Sequence, residues 1–236
     1  MHPKFEIPDC DNCIPRAKSI FNELTGEEFF PIAENKGCHQ HRAGQVLFYE
    51  GDLPLGLYCI NKGKVKIYKT GEDGKEHIVR LAKEGDVVGY RALISGERYN
   101  ASAAVLEDAV DCFITKDVIF SLLQTNKNFS MRMINVLSRD VGLAEERLVH
   151  MAQKPVRERL AEALLLLKEF YGYEEDKQTI KGSMSREDIA NIVGTATETV
   201  IRLLSEFREE KIIETVRRKI KIIDQNALIK TARVFD

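Results

Sequence analysis

The chain has 236 residues, with 35 Lys+Arg against 37 Asp+Glu and a formal net charge of -2. This near-balance excludes indiscriminate, histone-like nucleic-acid binding, which needs a strong basic excess, but leaves room for a local basic face. With 44% hydrophobic and 31% charged residues the composition is that of a globular protein, long enough to bury a core without disulfide or metal staples.

Residues 1–25 form a short N-terminal extension with a C-x-x-C pair, Cys10 and Cys13. It lacks the basic and apolar regions of a secretory signal, and no apolar run reaches membrane-spanning length. A cytoplasmic location with no membrane partner is the expectation. Cysteines stand at Cys10, Cys13, Cys38, Cys59 and Cys112. An odd count in such a chain reads as reduced, so disulfides are not expected, while a metal or redox role stays open.

Residues 26–125 carry short β-branched and aromatic runs between turn signals at Glu50-Gly51-Asp52, Lys62-Gly63, Glu72-Asp73-Gly74 and Glu84-Gly85-Asp86. Turns every roughly 8–12 residues are the spacing of a β-sandwich or β-roll. Residues 64–69 alternate polar and apolar, the period of a half-buried strand.

From residue 126 the period changes. Ile134, Leu137, Val141, Ala144, Leu148 and Met151 follow alternating steps of three and four, a heptad seam flanked by charge. One reading is an amphipathic helix lying on its own β-domain; the sharper one is a dimerisation helix over residues 126–153. Pro155 stops it, because proline cannot continue a helix interior.

Residues 154–236 read as a second domain. Residues 1–153 carry 19 basic and 22 acidic side chains and residues 154–236 carry 16 and 15, so the charges are -3 and +1. Within it the segment 184–213, MSREDIANIVGTATETVIRLLSEFREEKII, is the most informative. Ser185 and Asp188 have the form of a capping box. Ile189, Ile192 and Val193 line one face of a first helix, and Gly194 ends it at a left-handed position. Thr197 is placed to cap a second helix whose buried stripe is Val200, Leu203, Leu204 and Phe207. This is a helix-turn-helix, whose second helix enters the DNA major groove with its N-terminal part.

Ala196, Thr197, Glu198, Ile201 and Arg202 are the exposed positions there. Arginine donates two hydrogen bonds to guanine O6 and N7, and glutamate accepts from a cytosine amino group. Thr197 and Ser205 can reach phosphates or base edges. The plain alternative is a surface Glu198–Arg202 ion pair of little energy; its place behind a glycine turn favours base readout. Two strands, residues 212–214 and 219–223, flank a turn at residues 216–218. Arg217, Arg218, Lys219 and Lys221 make this hairpin a basic wing suited to phosphates.

Together these features resemble the cyclic-AMP receptor/FNR (Crp/Fnr) family of bacterial transcription regulators, over nearly the whole chain and most strongly in residues 185–213. The resemblance implies an α+β fold: an N-terminal double-stranded β-roll of the cyclic-nucleotide-binding jelly-roll kind over residues 26–125, a long dimerisation helix, and a C-terminal winged helix-turn-helix over residues 154–236. It matches the family's base-reading Glu and Arg to Glu198 and Arg202. It implies a homodimer on a two-fold symmetric operator with TGA-like half-sites, and contact with RNA polymerase.

The effector site departs from the cyclic-AMP pattern. In VVGYRALISGERYNASA, Gly89 is kept, but Tyr90 stands where the family's ribose-binding Glu would be, and Asn100-Ala101 replaces its Arg-Ser pair. Arg91 and Arg98 are the remaining candidates for an anion. A buried phosphate without its arginine is poorly compensated, which argues against cyclic AMP.

The FNR branch of the family holds an oxygen-sensitive iron–sulfur cluster on four cysteines. Cys10, Cys13 and Cys112 match by position, Ser19 stands where the third N-terminal cysteine would fall, and Cys38 is the candidate to replace it. Small buried core cysteines are the plain alternative. A haem also stays open; His39 and His41 form a weak metal motif beside Cys38. The cofactor is thus left undecided. A sensor whose helix-turn-helix serves mainly in protein interaction is the competing function. No P-loop, GxSxG or HExxH motif is present, so an enzyme is not expected.

Overall fold

The computed structural model describes residues 7–10 and 12–233. The chain divides into two compact units, Met1–Thr70 with Val79–Gly142 and Gly71–Ile78 with Leu143–Asp236.

The first unit is built on two long strands. Strands β1 (Gly37–His41), β2 (Val46–Phe48), β3 (Gly56–Thr70), β4 (Glu76–Ala82), β5 (Val87–Val88) and β6 (Ser102–Thr115) form a sheet in the order β1-β6-β3-β4. β2 also pairs with β6, and β5 with β3. β3 and β6 pair antiparallel from Gly56↔Thr115 to Tyr68↔Ser102. Strands this long must bend to wrap a core, and bulges bend them: the register slips between Ile60 and Lys62, Lys62 and Lys64, and Lys64 and Val65. Lys62-Gly63 therefore corrects the sequence reading, since it is a bulge inside β3 and not a turn. The other three turn glycines, Gly51, Gly74 and Gly85, lie between strands with positive φ.

Helices interrupt the region that reads as strands. α1 (Gly26–Asn35) starts at Thr25, whose hydroxyl accepts from the Glu28 N–H while the Glu28 carboxylate accepts from the Thr25 N–H. That reciprocal pair satisfies two orphan donors. With α2 (Tyr90–Ser95), α3 (Lys116–Thr125) and the first turns of α4 (Lys127–Gln153), α1 covers one sheet face. Phe29, Leu57, Leu93, Ile114, Ile119 and Met133 are buried there, and Phe21 stacks on Phe129 with centroids 5.5 Å apart. Each fully buried side chain of this kind contributes about 1.5–3 kcal/mol. A second core fills the roll on the other face, from Phe48, Ile60, Val65, Val88, Tyr99 and Val105.

The second unit holds α5 (Val156–Tyr171), α6 (Arg186–Val193), α7 (Thr197–Glu209), β7 (Ile213–Val216), β8 (Lys219–Ile222) and α8 (Gln225–Ala232). Asp224 caps α8 by accepting from the Ala227 N–H at 2.9 Å, and α8 packs on α5. The connection before α6 is tied to β8: Thr179 bridges to Lys221, and the Ile180 N–H donates to the Ile220 carbonyl at 3.0 Å. The β-roll, long helix and winged helix-turn-helix expected from the sequence are all present. Among the described residues no helix is long and apolar enough to cross a membrane.

Candidate nucleic-acid interface and sensor site

Local chemistry sets the helix-turn-helix. The Ser185 hydroxyl accepts from the Asp188 N–H at 2.9 Å, fixing the start of α6. Gly194 ends α6 at φ +69°, where its N–H reaches the Ala190 carbonyl at 2.8 Å. Only Thr195 and Ala196 separate it from α7, so Ala196 takes the N-cap position and Thr197 is the first helical residue. This corrects the expected cap at Thr197. No side chain caps α7, which leaves its first-turn N–H groups to other acceptors.

Val200, Leu203, Leu204 and Phe207 are buried, and that stripe turns Glu198, Ile201 and Arg202 outward. Arg202 is 65% exposed and pairs with Glu206 at 2.5 Å, not with Glu198. An exposed pair of this kind is worth under about 1 kcal/mol, so a nucleic-acid ligand can displace it. Thr197 is half-buried, and the Ser205 hydroxyl donates to the Ile201 carbonyl at 3.2 Å. In the wing, Arg217 sits at φ +58° and the side chains of Arg217 and Arg218 are exposed at the tip. Lys219 follows the tip as the first residue of β8 and is paired with Glu174.

Along α4, Leu137 packs into the core of the first unit, while Ile134, Val141, Ala144, Leu148 and Met151 are exposed. Residues 141–149 are exposed on every side. They leave an exposed apolar stripe on α4.

Gly89, at φ +87°, precedes α2. Tyr90 is buried and its hydroxyl meets Asp140 of α4. Arg80 donates to the Tyr90 hydroxyl at 2.7 Å and approaches Asp140 at 3.4 Å. Arg91 is exposed and pairs with Asn100, and Arg98 donates to the Gly51 carbonyl at 2.7 Å. Inside the roll Phe48 stacks on Tyr99, with centroids 3.9 Å apart.

The cysteines gather in the first unit. Cys38↔Cys112 and Cys59↔Cys112 are cross-strand pairs, so three thiol-bearing residues form one row across β1, β6 and β3. The extension folds beside that row. Lys36 Nζ donates to Cys10 Sγ and to the Pro8 carbonyl, both at 2.6 Å, and Asn61 Nδ2 lies 3.5 Å from Cys13 Sγ. Burial pushes Cys59 up to about 12, helped by the neighbouring Cys13 and Cys10. Burial and the Cys38 contact push Cys112 up as well. Burial also raises Cys38, against the opposing pull of its Cys112 hydrogen bond and Lys36. Burial works against the charge on Lys36, but its hydrogen bond to Cys10 raises its pKa overall. Ser19 is not part of this group: its hydroxyl donates to the Arg16 carbonyl at 2.9 Å and accepts from the Phe21 N–H.

Sequence reasoning missed Lys36, Asn61, Arg80 and Asp140, and treated Cys59 as core alone. Their partners come from other elements, so no local pattern points to them.

Two family models match the chain: the cyclic nucleotide-binding domain over residues 38–126 and the Crp-like helix-turn-helix domain over residues 158–231. The chain is 30% identical to the anaerobic regulatory protein of Haemophilus influenzae over 219 residues, 92% of this chain and 83% of that one. It is 29% identical to the fumarate and nitrate reduction regulatory protein of Vibrio cholerae over 223 residues, 94% of this chain and 87% of that one. Among solved structures, FixK2 of Bradyrhizobium japonicum superposes with a TM-score of 0.76 at 21% identity, covering 85% of this chain and 99% of that one.

Proposed function

Because the chain belongs to the Crp/Fnr family of transcription regulators, we propose that it acts in the cytoplasm as a homodimer on a two-fold symmetric operator with TGA-like half-sites, switched by a thiol-based sensor beside its β-roll. The exposed Glu198–Arg202 face of α7 carries the DNA reading. Glu198, Arg202 and Ile201 face base edges, Thr197 and Ser205 flank them, and Arg217, Arg218 and Lys219 of the wing contact phosphate. RNA polymerase is the further partner that family membership suggests.

Glu198→Ala with Arg202→Ala should weaken binding to a symmetric TGA-core duplex by at least about 100-fold, at roughly 1–3 kcal/mol per base contact. The measurement is a gel-shift titration at fixed salt beside a scrambled duplex. Undiminished affinity with intact sequence preference would refute the assignment.

For the sensor, the donor set is sulfur, which suits an iron–sulfur or other soft-metal centre better than haem. Cys10, Cys13, Cys38 and Cys112 are the residues to hold it, with Cys59 adjacent. A bound cluster would supply redox chemistry and the positive charge that lets buried thiols ionise. The chain's own residues do the rest. Lys36 offers a cation beside Cys10, and β6 carries Cys112 in the same sheet as β5, which leads into α2 and its first residue Tyr90. The Tyr90–Asp140–Arg80 contact ties α2 to α4. A change in α4 packing then decides whether two recognition helices match half-sites about 34 Å apart. Tyr90 in place of an acidic ribose ligand, and Asn100-Ala101 in place of Arg-Ser, weigh against a cyclic nucleotide as the signal.

Anaerobically purified protein is expected to contain iron and to show broad thiolate-to-iron absorption, lost in Cys112→Ser and Cys10→Ser. A colourless, iron-free wild type would overturn this sensor and leave the DNA reading untouched.

A further inference from the structure

The sheet face opposite the cysteine row carries a second donor group. His39 and His41 are two apart on β1, so they project to one side, away from Cys38. Asp111 of β6 is the cross-strand partner of His39. His41 Nε2 lies 2.5 Å from Asp111 Oδ1, and His39 Nδ1 lies 3.7 Å from Oδ2. One donor atom from each of the three lies within 4.8 Å of the others.

We propose that His39, His41 and Asp111 form a site for a divalent first-row transition ion, separate from the cysteines. The carboxylate is the decisive observation. The Asp111 side chain is 1% exposed, and its Oδ2 has no hydrogen-bond partner among the described residues. Its neighbours on the sheet, Ile60 and Ala109, are buried apolar residues of the roll core. A buried, half-satisfied carboxylate is strongly unfavourable unless it is paired or coordinates a metal. Protonated His41 would answer Oδ1 alone, and His39 is too far to hydrogen-bond Oδ2. A single ion answers all three groups. At bonds of about 2.0–2.2 Å its donor atoms would stand roughly 3 Å apart, a spacing the two observed distances bracket.

Two imidazoles and one carboxylate suit Fe, Zn, Ni or Co more than Mg or Ca. Three protein ligands leave coordination positions open for water or a small ligand. The His39 side chain, 57% exposed, marks the solvent side from which an ion would enter. On β6, Asp111 precedes Cys112, so one strand would carry a ligand of this ion on one face and a thiol of the cysteine row on the other.

The test is a Co2+ titration of the full reduced chain, followed by visible absorption, for wild type, His39→Gln and Asp111→Asn. His39→Gln alters an exposed side chain, and circular dichroism checks its fold. Outer-sphere substitutions weaken metal sites by roughly 10–100-fold, so loss of a direct ligand should cost at least that much. The wild-type-minus-His39→Gln difference spectrum should show cobalt d–d bands without sulfur-to-cobalt charge transfer. No Co2+ uptake by the wild type, identical titrations for wild type and both variants, or a difference spectrum carrying thiolate bands would each overturn the proposal.

Discussion

Val141→Asp is expected to turn the protein into a monomer that no longer holds a symmetric operator. Val141 is 58% exposed at the middle of α4, one turn-pair from Ile134 and Leu148, which are exposed on the same side. A helix with residues 141–149 bare on all sides gains little from its own propensity and needs a packed face to be stable. In the proposed homodimer a second copy of the same helix supplies that face, and two-fold symmetry brings each substitution in twice. Losing two buried valines removes about 3–6 kcal/mol, at roughly 1.5–3 kcal/mol each. That is a factor of about 140 to 20,000 in the dimer dissociation constant, before the cost of two buried carboxylates. Sedimentation at micromolar protein should show the monomer, with circular dichroism unchanged. Glu146→Gln, on the opposite side of the heptad, should stay dimeric. A Val141→Asp protein that remains a dimer with unaltered operator affinity would refute the seam.

The contrast between what could be read from the sequence and what could not follows from the range of the interactions. Ser185, Gly194 and the stripe of Val200, Leu203, Leu204 and Phe207 act within one or two helical turns, so the helix-turn-helix was legible. The wing was legible for the same reason, although Val216, expected in the turn, ends β7 and leaves a two-residue turn at Arg217-Arg218. Thr197 failed as a cap by a single residue, the usual scale of uncertainty at a helix end. Gly63 misled because a glycine with positive φ serves a turn and a bulge equally well. The long-range arrangements could not be read. The Cys38↔Cys112 and Cys59↔Cys112 pairs depend on strand register, which slips between Ile60 and Val65 of β3. His41 and Asp111 are 70 positions apart in sequence. Glu174, which takes up Lys219, lies in a connection that reads only as polar.

That same bulge supports the largest expected loss of stability. Gly63→Ala should lower the melting temperature far more than Gly51→Ala, although the two glycines have nearly the same φ, +92° and +91°. At Gly51 a Cβ meets nothing within 4 Å, so alanine there adds backbone strain alone. Strain of this kind costs about 1–3 kcal/mol. At Gly63 a Cβ would stand 2.5 Å from the Asp108 carbonyl oxygen and 2.6 Å from the Ala109 Cα. Both are backbone atoms of the paired strand, which cannot swing aside as a side chain would. Forcing them apart adds about 1–3 kcal/mol or more. The difference between the two variants isolates that clash. It should appear as a further fall of roughly 2–12 °C, at about 2–4 °C per kcal/mol for a protein this size. The bulge is also pinned electrostatically: Glu84 accepts from the Gly63 N–H at 3.0 Å and from Lys64 Nζ at 2.6 Å. Burial alone would raise the Glu84 pKa, but Lys64 and these hydrogen bonds hold it below the ordinary value. This contribution is therefore complete above the ordinary carboxylate range and is lost as pH falls through the depressed value. The Gly63→Ala penalty should persist at low pH, because it is steric, while a Glu84→Gln penalty should fade there. Equal melting temperatures for Gly63→Ala and Gly51→Ala would show that β6 can yield at Asp108–Ala109. The register that carries Asp111 and Cys112 would then not be fixed by this glycine.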